Sequence, residues 1–245
     1  MNEEEVVISK SAVRRAGSTL RRFARREVAD AEAEKALNVI DSYRRSFSDP
    51  LNAVTAILGE ILRESGIQGE VSQRLKRMIT IVQKIVVREP GLDLSRMQDV
   101  GGCRIVLGSD NVAELRRIED LVRVRWGDDC KRSSDYIDKP RDSGYRAIHI
   151  VVMQDGRMIE IQLRTHCMHL WAELVEGLSS VFGINYKQDG DSLVQDYARQ
   201  LSLVMRVAER GETVDEDDQV RLDDLSERIR AMLARIEEDL HDAPG

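Results

Sequence analysis

Residues 146–165, RAIHIVVMQDGRMIEIQLRT, constrain the fold more than any other stretch of the chain. Two runs rich in β-branched residues flank a Gln-Asp-Gly turn signal of hairpin type. In the second run, strict alternation sends Ile159, Ile161 and Leu163 to one face and Glu160, Gln162 and Arg164 to the other. One face is therefore core. The opposite face carries an acid, an amide and a base, which suits the wet side of an ordinary sheet and equally the floor of a polar site.

Helices are expected on both sides of this hairpin. Residues 11–88 read mostly as helix: ADAEAEKALNVIDSYRRSF is rich in helix formers, DPLNAVTAILGEIL opens on an Asp-Pro start signal, and RLKRMITIVQKIVVRE keeps apolar residues at helical spacing. Pro90 and Gly91 break that pattern, and CRIVL, a short apolar run behind two glycines, reads as a buried strand. A helix at about 110–123 and a strand near VRVRW come next. Beyond the hairpin, HCMHLWAELVEGLSSVFG and two segments at about 191–210 and 217–240 read as helices. The last spaces Leu222, Leu225, Ile229, Met232 and Ile236 by threes and fours, a narrow stripe that fits packing on its own domain, self-association or a partner helix.

A chain of 245 residues with 42% hydrophobic content can bury one good core. It contains no run of about 18 apolar residues, and MNEEEVVISK lacks the apolar segment of a secretion signal, so a cytoplasmic location without a membrane partner is expected. Cys103, Cys130 and Cys167 are odd in number and irregular in spacing, which favours reduced thiols. The net charge of -7 hides an uneven distribution. From Lys10 to Arg26 there are seven basic residues and no acid, and from Glu212 to Asp242 twelve acids face four arginines. Such blocks serve as solvated helix faces, and a basic one can also hold a polyanion.

With aromatics at only 4%, the loop DKPRDSGYRAIHIVV sets a tyrosine among glycine, proline and arginines. It reads either as a plain turn feeding a strand, or as a binding loop in which Tyr145 offers a flat face and Lys139, Arg141 and Arg146 offer charge to a phosphorylated ligand. Two carboxylates stand out beside expected strands, Asp99 and Glu160. Acids for Mg2+, the upstream cations Arg74, Lys76 and Lys84 for phosphate, and a ring for a nucleobase form a coherent set for phosphoryl or pyrophosphoryl transfer. His166, Cys167 and His169 make a weak zinc signal, lacking a second ligand pair. Gly101 and Gly102 belong to no phosphate-binding loop pattern and read as close backbone packing.

Taken in order, RLKRMITIVQK, LSRMQDVGGCRIVL, DYIDKPRDSGYRAIH, EIQLRT and MHLWAE resemble the synthetase domain of the RelA/SpoT family over about residues 71–187. The lead-in, SKSAVRRAGSTL followed by SYRRSFSDPLNAV, resembles the single-domain branch that includes toxic small alarmone synthetases. The resemblance implies an α+β fold: a nucleotidyltransferase-like mixed β-sheet with packed helices, arranged as a helical lead-in at 1–70, a synthetase core at 71–187 and C-terminal helices at 188–245. It implies an ATP-dependent pyrophosphokinase with Asp99 and Glu160 as catalytic, Mg2+-binding acids, and Arg74, Lys76, Lys84 and Arg104 on ATP. Tyr145 would stack on the acceptor's base and should then be exposed, with His149, Lys139, Arg141 and Arg146 beside it. Two positions depart from the family pattern: Arg141 replaces a lysine and Ala147 a serine. Arginine keeps the charge but exchanges a point ammonium for a planar fork.

Three functions follow from the resemblance. The acceptor is the 3'-CCA end of tRNA, favoured by the basic block (Arg14, Arg15, Arg21, Arg22, Arg25 and Arg26), giving a translation-blocking toxin with an antitoxin partner. Or it is GDP or GTP, giving an alarmone synthetase. The third reading is a nucleotide-binding module without catalysis, against which intact Asp99 and Glu160 count. A homo-oligomer through the last helix is a further expected partner.

Overall fold

The computed structural model describes residues 8–182 and 192–241, with side-chain burial given as far as residue 236. In chain order the elements are α1 (Lys10–Ala24), α2 (Asp30–Arg45), α3 (Ser48–Ser65), β1 (Gly69–Leu75), α4 (Met78–Gln83), β2 (Gly101–Leu107), α5 (Val112–Trp126), β3 (Cys130–Asp135), β4 (Ile148–Gln154), β5 (Arg157–Arg164), α6 (His166–Phe182), α7 (Leu193–Glu209) and α8 (Glu216–His241). The five strands form one mixed sheet in the order β1-β2-β5-β4-β3. β2 and β5 run parallel, and the other neighbours are antiparallel. This is the expected α+β class.

The β4–β5 hairpin turns on Asp155 and Gly156, at φ 47° and 74°. Asp-Gly is the pair that tolerates two successive left-handed residues, so the turn fixes the register that pairs Gln154 with Arg157. That register buries Ile159, Ile161 and Leu163 completely, beside Ile148, Ile150 and Val152 of β4 and Cys103, Ile105 and Leu107 of β2. Each such aliphatic side chain contributes about 1.5–3 kcal/mol by leaving water. Helices α3 and α5 cover this face, and Val13 and Leu20 of α1 belong to the same continuous core. Gly101 opens β2 where there is no room for a side chain: a Cβ there would lie 3.0 Å from Ile159 Cδ1 of β5 and 3.3 Å from Phe47, the residue before α3.

The opposite face is apolar only at one end. There Tyr145, Ala147, Trp171, Ala172, Val175, Val194, Ala198 and Ile229 pack together under α6, α7 and α8. The α8 stripe is covered by its own chain, with Leu222, Leu225 and Ile229 buried and Met232 against the same cluster. The boundary expected at 187/188 lies outside the described residues.

Three sequence readings are corrected. VRVRW is the end of α5 and not a strand: Val122 and Trp126, four apart, are buried while Val124 is 80% exposed. The strand lies further on, in β3, whose CKRSSD contains no buried residue and so gives no apolar signal. The tract 11–88 is not helical throughout, because α3 ends at left-handed Gly66 (φ 69°) and β1 follows. β1 is an edge strand, GEVSQRL, with Val71 and Leu75 only partly covered. RLKRMITIVQKIVVRE is consequently split between the end of β1, α4 and a wide π-turn at Lys84–Arg88.

Candidate active site

Strand register assembles the polar face. Arg74 lies beside Gly102, Gly102 beside Glu160, and both Arg104 and His149 beside Gln162. These side chains share one cavity of about 800 Å³ with Lys76, Lys84, Asp99 and Arg141. Most of its lining is ionisable.

Asp99 stands at the entrance to β2, where the Lys76 backbone N–H donates to Val100 O at 2.8 Å and brings the end of β1 alongside. Arg44 of α2 holds the Lys76 carbonyl through its Nε at 2.8 Å. Lys76 Nζ then reaches Asp99 Oδ2 at 2.9 Å, and Lys84 Nζ reaches Oδ2 at 3.1 Å and Oδ1 at 3.3 Å. Burial tends to raise the Asp99 carboxyl, but Lys76 and then Lys84 outweigh it and hold the group below the usual carboxylate range. Lys84 Nζ also lies 3.7 Å from Glu89, so the two ammoniums face two carboxylates, and the positive surplus of the cavity comes from its arginines. Arg74 and Arg104 contribute to it, since neither has a carboxylate within ion-pairing distance among the described residues, and Arg104 Nε is buried without a partner. A cluster of this kind suits a polyanion such as a triphosphate.

Glu160 sits in a closed ring of hydrogen bonds. Arginine can only donate, so Arg164 Nη2 gives to Tyr145 Oη at 2.9 Å and to Gln162 Oε1 at 3.0 Å. His149 bridges onward, its Nε2 2.7 Å from the tyrosine hydroxyl and its Nδ1 3.0 Å from Glu160 Oε1; an ionised carboxylate only accepts, so Nδ1–H is the donor of that second bond. Gln162 Nε2 donates to Glu160 Oε2 at 2.9 Å and completes the ring. Burial pushes the Glu160 carboxyl up, but the His149 and Gln162 bonds prevail and it rests below its ordinary value. Asp99 opposes that lowering, so the two carboxylates feel one another across the cavity. The donor set fits a hard divalent cation: two ionised carboxylates facing a common space, each with lone pairs beyond those its neighbours use.

The acceptor-side residues are placed less uniformly. Tyr145 is not exposed, as a stacking platform would require. It is 5% exposed, its hydroxyl held by His149 and Arg164 and its ring 6.1 Å from Trp171. Arg146 is likewise turned inward, giving both Nη groups to Glu209 at 2.6 and 2.8 Å with side chains 3% and 2% exposed. The physical reason is shared: the loop leading into β4 runs under α6 and α7, where an apolar ring is core and a guanidinium needs an acid. Lys139 is exposed and lines no part of the cavity, whereas Arg141, His149 and the small exposed part of Tyr145 do.

On α1 and the turn after it, Arg14, Arg15, Arg22, Arg25 and Arg26 are exposed and Arg21 is half-buried. Arg14 pairs with Asp93 at 2.9 Å, Arg21 donates to Leu92 O at 3.3 Å, and Arg22 and Arg25 pair with Glu27. None of these bonds reaches the acidic C-terminal helices. Cys167 and His169 do not converge on a zinc site. His169 Nε2 faces Glu173 at 3.2 Å, while Cys167 lies with Asp110 and Glu209 and donates its backbone N–H to Asp110 at 2.6 Å, a helix-capping bond. Gln162 and Arg164 were visible as the polar side of β5, but nothing in the sequence showed that they join Tyr145 and Glu160 in one ring.

Residues 73–191 match the family model described as "Region found in RelA / SpoT proteins". The chain is 29% identical over 133 residues to GTP pyrophosphokinase rsh of Brucella ovis, and 33% identical over 118 residues to the probable GTP diphosphokinase RSH3, chloroplastic, of Arabidopsis thaliana. Those stretches cover 54% and 47% of this chain but only 17% and 16% of the relatives. Among solved structures, small alarmone synthetase 1 from Bacillus subtilis bound to its product pppGpp aligns at TM-score 0.57 and 22% identity, over 67% of this chain and 90% of that one. A GTP pyrophosphokinase family protein from Streptococcus pneumoniae aligns at TM-score 0.56 and 22% identity, over 73% and 96%. The fold is shared with both.

Proposed function

We propose that this chain is an ATP-dependent pyrophosphokinase that transfers the β,γ-pyrophosphate of ATP to a ribose 3'-hydroxyl. The observation that carries the reading is the pairing of Asp99, caged by Lys76 and Lys84, with Glu160, held ionised by His149 and Gln162, on one cavity. The match at residues 73–191 and the named activities of the curated relatives support it.

Lys76 and Lys84, with Arg74 and Arg104, bind the triphosphate and offset the charge that develops on it. Glu160 takes the proton of the acceptor hydroxyl. The 3'-oxygen forms a bond to the β phosphorus while the bond from that phosphorus to the α,β-bridging oxygen breaks, and AMP leaves. Mg2+, held by Asp99 and Glu160, would supply charge neutralisation on the phosphates.

The tRNA 3'-CCA end is the acceptor we favour, because α1 adjoins the cavity rim where half-buried Arg21 donates to the carbonyl of Leu92, and α1 and the turn after it carry five further, exposed arginines. A base-paired acceptor stem offers a phosphate track that such a surface can follow. GDP or GTP is the second reading, favoured by the nucleotide pyrophosphokinase names of the relatives. Incubation with γ-labelled ATP and either tRNA or GDP plus GTP tests both. One AMP released per label transferred is expected, with transfer to tRNA sensitive to salt and to Arg22→Glu plus Arg25→Glu. Label appearing only as inorganic phosphate, or no AMP, would refute the reaction.

A further inference from the structure

The two cavity carboxylates are unequally accessible. Glu160 accepts one hydrogen bond on each oxygen, from His149 Nδ1 and from Gln162 Nε2, and keeps a lone pair on both. Asp99 is more nearly spent. Its Oδ2 accepts from Lys76 Nζ at 2.9 Å and from Lys84 Nζ at 3.1 Å, which fills that oxygen, and its Oδ1 accepts from Lys84 Nζ at 3.3 Å. A cation on either oxygen would share it with an ammonium. Charges of one sign repel strongly at such range in a partly buried site, so Asp99 is shut to a divalent ion as long as both lysines stay.

Only side chains need to move for them to leave. The Lys76 backbone is tied on both sides, its N–H to Val100 O and its carbonyl to Arg44 Nε, each at 2.8 Å. Lys84 opens the wide π-turn, and its carbonyl accepts from the Glu89 N–H at 2.7 Å. Each ammonium therefore swings on a four-carbon stem from a fixed root, and both residues line the cavity. A polyphosphate offers them several anionic oxygens in place of one carboxylate. Arg74 and Arg104 line the same cavity and pair with no carboxylate among the described residues, so they meet the phosphates without giving up a partner.

We infer that Lys76 and Lys84 latch Asp99 in the free protein, keeping divalent cations off it until a polyphosphate draws both ammoniums away. The inference rests on the pyrophosphokinase reading above and adds a regulation to that site, in which the nucleotide unlocks the ligand of its own cation. Linkage of this kind is reciprocal: a cation on Asp99 also releases the lysines to the phosphates.

The test uses Mn2+ alone as the probe, with the free ion counted by electron paramagnetic resonance and no nucleotide present. Lys76→Met plus Lys84→Met should bind Mn2+ about 5- to 150-fold more tightly than wild type, the usual range of coupling between two sites. Adding Asp99→Asn to that pair should abolish the gain. Lys35→Met plus Lys131→Met, which removes the same charge from exposed positions outside the cavity, should show no gain. A second arm titrates metal-free ATP in EDTA by calorimetry. Asp99→Asn frees both lysines and should bind ATP more tightly than wild type, by a larger factor than Glu160→Gln, which removes the same charge from the cavity and frees no lysine. Mn2+ held as tightly by wild type as by the double lysine variant, a gain that survives Asp99→Asn, or equal ATP affinities in Asp99→Asn and Glu160→Gln would each overturn the latch. Wild-type protein that binds no ATP even with Mg2+ would instead overturn the pyrophosphokinase reading beneath it.

Discussion

Replacing Glu209 with leucine should destabilise the protein by breaking a buried ion pair from one side. The substitution removes the acid from the Arg146–Glu209 pair, in which two hydrogen bonds of 2.6 and 2.8 Å join side chains exposed by 3% and 2%. It leaves a guanidinium buried without its counter-charge and takes the 3.2 Å acceptor from the Thr165 hydroxyl. Breaking a buried pair from one side costs about 3–5 kcal/mol. At about 2–4 °C per kcal/mol for a chain of this size, the melting temperature should fall by roughly 6–20 °C. The double change Arg146→Met plus Glu209→Leu should recover most of that loss, because apolar groups of similar volume often replace a buried ion pair at little cost. Differential scanning calorimetry of the two single variants and the double one decides the matter. A Glu209→Leu protein as stable as wild type, or a double variant no better than the worse single, would refute the reasoning.

Glu160→Gln should reduce pyrophosphate transfer by about 10²- to 10⁴-fold, the range of a lost general base, while ATP titrated by calorimetry still binds; undiminished turnover would remove Glu160 from the chemistry. Burial pushes the Cys103 thiol up to about 11, and burial with Asp110 and Glu209 pushes Cys167 up to about 12, so iodoacetamide at pH 8 should modify Cys130 well before either, read by peptide mass mapping. Asp135 is held below the usual carboxylate range: burial raises it, but the Arg116 bond and the backbone N–H groups of Asp138 and Ile137 prevail. Its stabilisation should therefore be complete above about pH 4 and lost as pH falls further, and Arg116→Met should flatten that part of the unfolding curve.

How much of this was legible in the sequence depended on whether a segment reports on itself or on its neighbours. The hairpin was plain because β4 and β5 are central strands with one buried face, and Asp155-Gly156 states its own turn. β1 and β3 were not, since edge strands owe their conformation to a partner's backbone and carry no apolar alternation. Asp99, Glu160 and the cations that line the cavity stood out as charges beside strands. The inward turn of Tyr145 and Arg146 did not, because the sites that receive them, Trp171 on α6 and Glu209 on α7, lie far along the chain and betray no pairing. The wide turn after α4 that aims Lys84 at Asp99 had no local signal either.

The seam between Gly144–Arg146 and Ser202–Glu209 also orders events in time. Its hydrogen bonds join residues 58 and 63 positions apart, whereas Lys76 and Lys84 reach Asp99 over 23 and 15. A nascent chain that has just delivered α6 already contains all five strands together with Lys76, Lys84 and Asp99, yet the loop before β4 has no α7 to close against. Chains fold from the N-terminal side as they are made, so the cluster of Lys76, Lys84 and Asp99 matures first and the loop before β4 last. On the proposed reading, the grip on ATP and the grip on its acceptor would in this way mature separately during synthesis.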